Sequence, residues 1–123
     1  MISYEIYKLI HFIGLTLTVF SLGALAFQML NHRAKDFQNR KFLAIGHGVG
    51  LFLLLLGGFG MLARLGIVQG MPTWVWLKII IWVLVGAIIA PMRRKPEWSP
   101  WLWAIAIGLV IAAAWVALFK PFL

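Results

Sequence analysis

Trp74-Val-Trp-Leu-Lys78-Ile-Ile-Ile-Trp82-Val-Leu-Val-Gly86-Ala-Ile-Ile-Ala90 is an apolar run interrupted by one charge, Lys78. A helix that crosses the hydrocarbon core needs about 20 predominantly apolar residues, with a lower bound near 17. This stretch meets that length and carries no alternation of polar and apolar positions that would mark a half-buried strand. Working outward, three further runs of similar character appear, near residues 4–30, 41–65 and 100–119. With the central run taken to 74–91, they divide the chain into four spans joined by short loops. Four spans are too few for a closed barrel, and lipid leaves no backbone group unpaired. The expected fold is therefore all-α: an integral membrane antiparallel four-helix bundle, one transmembrane domain over residues 1–123.

Composition supports this reading. The chain has 123 residues, 63% hydrophobic and only 11% charged, with a formal charge of +8 and no cysteine. Soluble domains run nearer half apolar and a quarter charged. The four spans leave no room for a soluble catalytic domain. The missing cysteines exclude disulfides, thiolate metal sites, iron–sulfur clusters and cysteine nucleophiles. The basic excess does not point to nucleic acid, because it sits in two tracts between apolar runs.

Local punctuation marks the helix ends. Asn31 suits a C-terminal cap, and Gly66, Gly70 and Pro72 break the chain after the second run. Thr73 is placed to cap the third helix, and Pro91 and Pro96 to end it. Ser99-Pro100 reads as an N-cap followed by proline at the first helical position. Ala24-Leu25-Ala26 resembles a leader cleavage site, but the run before it opens on Glu5 and contains His11, so a retained first span is expected.

The charge distribution predicts orientation. Arg33, Lys35, Arg40 and Lys41 occupy one loop, and Arg93, Arg94 and Lys95 another. Lys8, Arg64 and Lys120 lie at the opposite ends of the spans. The positive-inside rule then places both basic loops in the cytoplasm and both termini outside, in a bacterial cytoplasmic (inner) membrane. Trp74 and Trp76 at one level, and Trp98, Trp101 and Trp103 at the other, suit interfacial belts.

Polar residues inside the spans carry the functional signal. In the first, Tyr4, Tyr7, His11, Gly14, Thr18, Ser21, Leu25, Gln28 and His32 recur at alternating spacings of three and four, along one face. A polar stripe on a membrane helix faces protein rather than lipid. The second span repeats the alternation with His47, Gly50, Leu54, Gly57, Met61 and Arg64. Its glycines suit either close helix packing or a flat ligand. In the fourth, Ala104, Gly108 and Ala112 form a small-residue ridge expected to pack.

His11, His47 and Lys78 are the ionisable residues well inside spans, each a functional hypothesis by default. A haem b clamped between His11 and His47 fails on depth. The two are offset along the membrane normal by roughly 18 Å at 1.5 Å per residue. His11 and Lys78 share a level, with Trp115 close to it and Arg64 just above. The expected site is a cationic, aromatic-lined pocket in the outer half: His11, Lys78, Arg64 and Trp115, with Tyr7. It suits quinone oxygens or haem propionates, and His11 would be the metal ligand where haem is bound. His47, with Gln28 and His32, forms a second and weaker candidate. The competing explanations are plain: a snorkelling lysine for Lys78 and an interhelical hydrogen bond for His11.

Lys8-Leu-Ile-His11, Gly46-His47 followed by Leu54-Leu55-Leu56-Gly57, and Trp76-Leu77-Lys78 followed by Gly86 resemble the SirB family of small membrane proteins. More distantly, the first-span histidine and third-span lysine are similar to those of HemJ-type protoporphyrinogen oxidases and CopD-type copper-resistance proteins. SirB-type sequences usually carry proline before the second histidine and aspartate shortly after it. Here Gly46 and Gly50-Leu51 stand instead, so any role of that acid is absent. The resemblance implies a haem- or quinone-linked membrane protein with His11 as haem ligand. Two functions follow as expectations: a redox-associated module, or a non-catalytic accessory subunit that packs in the bilayer against other membrane subunits or its own copies.

Single cysteines at Asn39 and Gly70 test the orientation. An impermeant thiol reagent on intact cells should label the Gly70 variant and spare the Asn39 variant; the reverse pattern would invert the topology.

Overall fold

A computed structural model describes residues 3–32, 40–65 and 72–119. The elements are α1 (Tyr4–His32), α2 (Arg40–Arg64), α3 (Thr73–Ala87), α4 (Ile89–Arg94), a 3-10 turn (Pro96–Trp98) and α5 (Ser99–Phe119). They form four spans long and apolar enough to cross a membrane: Tyr4–Gln28, Lys41–Arg64, Thr73–Arg94 and Pro96–Phe119. The chain is an all-α, four-span bundle and a polytopic membrane protein. Its outer faces agree with that environment. Phe20 and Leu118 are 75% and 77% exposed, and large apolar side chains on every span share this bare surface. In water such a surface would drive association.

The α1–α2 hairpin is the most intimate contact, and glycine makes it possible. A Cβ on Gly57 would lie 2.6 Å from the backbone nitrogen of His11 and 2.8 Å from its Cα. One on Gly14 would lie 2.5 Å from the nitrogen of Leu54 and 2.7 Å from the oxygen of Gly50. One on Gly50 would strike the Thr18 hydroxyl and come within 2.6 Å of the Thr18 nitrogen. At the two ends, Gly60 faces the Tyr7 ring and Gly46 faces the Ser21 hydroxyl. These pairings run in opposite order along the two helices, so α1 and α2 are antiparallel. Most obstacles are backbone atoms, which no side-chain rotation can move aside. The polar stripe of α1 is therefore a packing face. The Thr18 hydroxyl turns back to donate to the Gly14 carbonyl at 2.8 Å.

α5 lies against both α1 and α3, while α2 and α3 meet over little. Two apolar clusters close the bundle. At the end with the basic loops, Leu22, Leu25 and Ala26 of α1 pack with Ile88, Met92 and Ala106. At the other end, Leu62, Trp74, Val75 and Val116 form the second.

Several helix-end expectations are corrected. Pro91 does not end the third span. It lacks the N–H that would bond the Ala87 carbonyl, so the helix is interrupted at Ile88 and resumes as α4 to Arg94. Backbone bonds from Ile88 to Leu84 (3.1 Å) and from Met92 to Ile88 (3.3 Å) bridge the interruption. Thr73 is the first helical residue rather than a cap; Pro72 holds the N-cap position without a side-chain bond. Ser99 is fully buried, helical in backbone conformation, and its hydroxyl has no partner, so it does not cap α5. Asn31 lies within α1, which continues to His32. An unforeseen cap opens the chain: the Ser3 hydroxyl accepts from the Ile6 N–H at 3.3 Å. The small-residue ridge of α5 is also misplaced. Ala104, Gly108 and Ala112 are all exposed, and a Cβ on Gly108 would meet nothing within 4 Å. Ala106 and Val116 provide the packing face instead.

Gly50→Ala and Gly57→Ala should each lower stability in detergent by about 1–3 kcal/mol, the usual cost of overpacking. Gly48→Ala and Gly108→Ala, which meet open space, should leave the thermal unfolding midpoint unchanged or slightly raised.

Candidate functional site

The glycine seam brings His11 to α2. Its half-buried ring donates from Nδ1 to the Leu54 carbonyl at 2.9 Å. The partner is a carbonyl, which only accepts, so the proton sits on Nδ1. In the neutral ring, Nε2 then carries a free lone pair. The interhelical hydrogen bond and an available ring nitrogen thus coexist in one residue.

Lys78 reaches this region from α3. Trp82, one turn further on, donates from Nε1 to the Leu51 carbonyl at 2.9 Å. Gly86, one turn beyond, leaves space for Leu51, whose Cδ1 would lie 3.2 Å from a Cβ there. The face of α3 that carries Trp82 and Gly86 therefore packs on α2, rather than on α1 alone. Lys78 is half-buried on that side and close enough to His11 for the two to interact electrostatically. The acids among the described residues are Glu5 and Glu97, both exposed near helix ends. Neither is placed to neutralise Lys78.

The other expected members are dispersed. Tyr7 stays on the α1–α2 seam, its ring against Gly60, less than two turns from His11. Arg64 is exposed at the end of α2. Trp115 is 52% exposed and stacks its ring on Phe119, with centroids 5.7 Å apart and planes at 43°. His11, Tyr7 and Lys78 are thus drawn toward one region, while Arg64 and Trp115 lie at the surface.

His47 has a different character. It is 3% exposed, and neither ring nitrogen has a hydrogen-bond partner among the described residues. The backbone carbonyls of Thr18, Val85 and Gly86 lie nearby without satisfying it. Gln28 also buries an unpartnered Oε1; the side chain of His32 is outside the described residues. His47 is also far from His11. The His11 backbone lies against Gly57, which is about 15 Å beyond His47 along α2 at 1.5 Å per residue. The packing register therefore keeps the two histidines on separate levels.

Cavity geometry adds a constraint. Two cavities among the described residues lie away from His11 and Lys78. One, of about 10 Å³, lies between Thr18, Leu22, Val85, Trp103 and Ala106. The other is an open cleft beside Lys41 and Arg93. Sequence reasoning missed three features here: the complete burial of His47, the Trp82–Leu51 bond and this cleft. A tryptophan on the Lys78 stripe was visible, but its partner is a backbone carbonyl, which no side-chain pattern reveals.

Comparison with protein families, characterised proteins and solved structures finds no match. The architecture is accordingly that of a small four-helix membrane protein without a family assignment.

If the purified protein carries a haem, replacing His47 by alanine should leave the spectrum largely intact. Loss of a low-spin bis-histidine signature in that variant would mean the two histidines share one iron.

Proposed function

We propose that this protein is a redox-associated membrane module that holds a quinone head group, or a haem, against His11 and Lys78 in the outer half of a bacterial cytoplasmic membrane. The observation that carries this reading is the His11–Leu54 hydrogen bond. It fixes the ring and directs the remaining lone pair away from its backbone partner, as outer-shell bonds do for ligating histidines. Beside it stands an ammonium with no carboxylate among the described residues to pair with. A charge left unpaired at mid-membrane costs roughly 2.5–3.5 kcal/mol on insertion scales, less toward the boundary. A quinone oxygen or a propionate would offset that cost. A quinol hydroxyl can donate to Nε2 of His11 while Lys78 donates to the opposite oxygen.

Of the two ligands, quinone asks less of the fold. Its head group can enter from lipid along the slight α2–α3 contact, whereas a haem requires those helices to part. The resemblance to SirB-type and HemJ-type sequences rests on the same histidine and lysine and supports the same class of ligand.

One observation favours a second reading, a non-catalytic accessory subunit. The polar stripe of α1, from Tyr7 to Ser21, is occupied by contact with α2.

Solvent extraction of the purified protein, together with a reduced-minus-oxidised spectrum, separates the two. Recovered quinone or a haem signal supports the module. A colourless, quinone-free protein that co-purifies with other subunits supports the accessory role. In the first case, Lys78→Met should reduce ligand retention at unchanged folding, and Lys78→Arg should be partly tolerated.

A further inference from the structure

At the end of the bundle that carries the basic loops, α2 begins and α4 finishes side by side. Between them lies an open cleft of about 350 Å³ walled by Lys41, Ala44 and Ile45 of α2 and by Arg93 of α4. Lys41 and Arg93 are both exposed, and neither makes an ion pair or hydrogen bond among the described residues. Among the described residues, no carboxylate lines the cleft. Two cations therefore face one open cleft without a counter-charge among the described residues. The first turn of α2 adds to this, since it carries the positive end of the helix dipole. The remaining walls, Ala44 and Ile45, are apolar.

Depth identifies what meets this combination. Trp98 and Trp101 are exposed in the adjoining turn and at the start of α5, and the Lys95 ammonium lies 5.9 Å from the Trp98 ring centre. Tryptophan and lysine together mark the head-group level of a bilayer. Immediately along α2, Phe42 and Ile45 are 67% and 57% exposed, an apolar surface beside the cationic mouth. The geometry points to a binding site for an anionic phospholipid: its phosphate lies between Lys41 and Arg93, and its acyl chain runs along Ile45 and Phe42. A zwitterionic head group brings its own cation into a cleft that already holds two. Inorganic phosphate matches the cations but leaves the apolar walls bare. This site is independent of the His11–Lys78 reading and holds whichever ligand that region takes.

Native mass spectrometry of the full chain, in detergent with equal phosphatidylglycerol and phosphatidylcholine, tests the assignment. The wild type should retain phosphatidylglycerol preferentially. Lys41→Gln combined with Arg93→Gln should weaken that retention by about thirtyfold, from roughly fivefold per cation at a membrane surface. Ala44→Trp, which fills the cleft and leaves both charges in place, should weaken it as well and covers the case in which the double variant fails to fold. Lys8→Gln, which removes one positive charge at the other end of α1, should have no effect. Equal retention of the two lipids, undiminished retention in the double variant or in Ala44→Trp, or displacement of the lipid by millimolar inorganic phosphate would each overturn the proposal.

Discussion

The fold depends on backbone-to-backbone contact between α1 and α2. In lipid, no hydrophobic gain separates a helix-facing leucine from a lipid-facing one, so association relies on close packing and polar contacts. Gly14, Gly50 and Gly57 supply the closeness, because any side chain there would occupy the backbone of the opposite helix. The same approach brings the His11 ring within reach of the Leu54 carbonyl. Structural and candidate functional roles therefore share one seam: the residues that let the helices meet also set the tautomer and position of the histidine.

The remaining spans are attached to this hairpin more loosely, and their contacts are more polar than composition suggests. Trp82 reaches a backbone carbonyl of α2, and Gly86 opens room for Leu51. Between the two apolar end clusters, the middle of the bundle contains His11, Thr18, His47, Lys78 and Trp82. Thr18, His11 and Trp82 have their bonds; His47 has none. A buried imidazole without partners costs free energy on the scale of about 1–3 kcal/mol for each unsatisfied group. That cost falls where α1, α2 and α3 converge, nearly three turns from the His11 level.

Much of the architecture was legible in the sequence. The four apolar runs, their antiparallel order and the polar face of α1 follow from length and period. The glycines of α2 were equally visible, although their choice between packing and ligand space needed the register, and packing prevails at Gly50 and Gly57. Other features were not legible for physical reasons. α5 is apolar on every side, so periodicity says nothing about which face packs, and its small-residue ridge turns outward. Pro91 reads as a stop in water-exposed helices, but a membrane span tolerates the lost bond and continues to Arg94. For the site, the level of His11 and Lys78 was readable from distance to the helix ends. The outward placement of Trp115 was not, because level along an axis leaves rotation about it undetermined.

These differences in attachment bear on how a ligand would be accommodated between His11 and Lys78. The α1–α2 side has no freedom to open, since separating it forfeits the glycine contacts and the His11–Leu54 bond together. The α3 side is held to α2 on both sides of Lys78: Trp74 and Val75 pack with Leu62 on one, and Trp82 and Gly86 meet Leu51 on the other. Beyond them the helix is interrupted at Ile88, where Pro91 leaves the Ala87 carbonyl without its bond. Side-chain contacts hold the Lys78 end of α3 against α2, whereas backbone contact holds His11. Both walls of the region are therefore anchored, and a ligand between His11 and Lys78 would have to fit the space that these two sets of contacts leave.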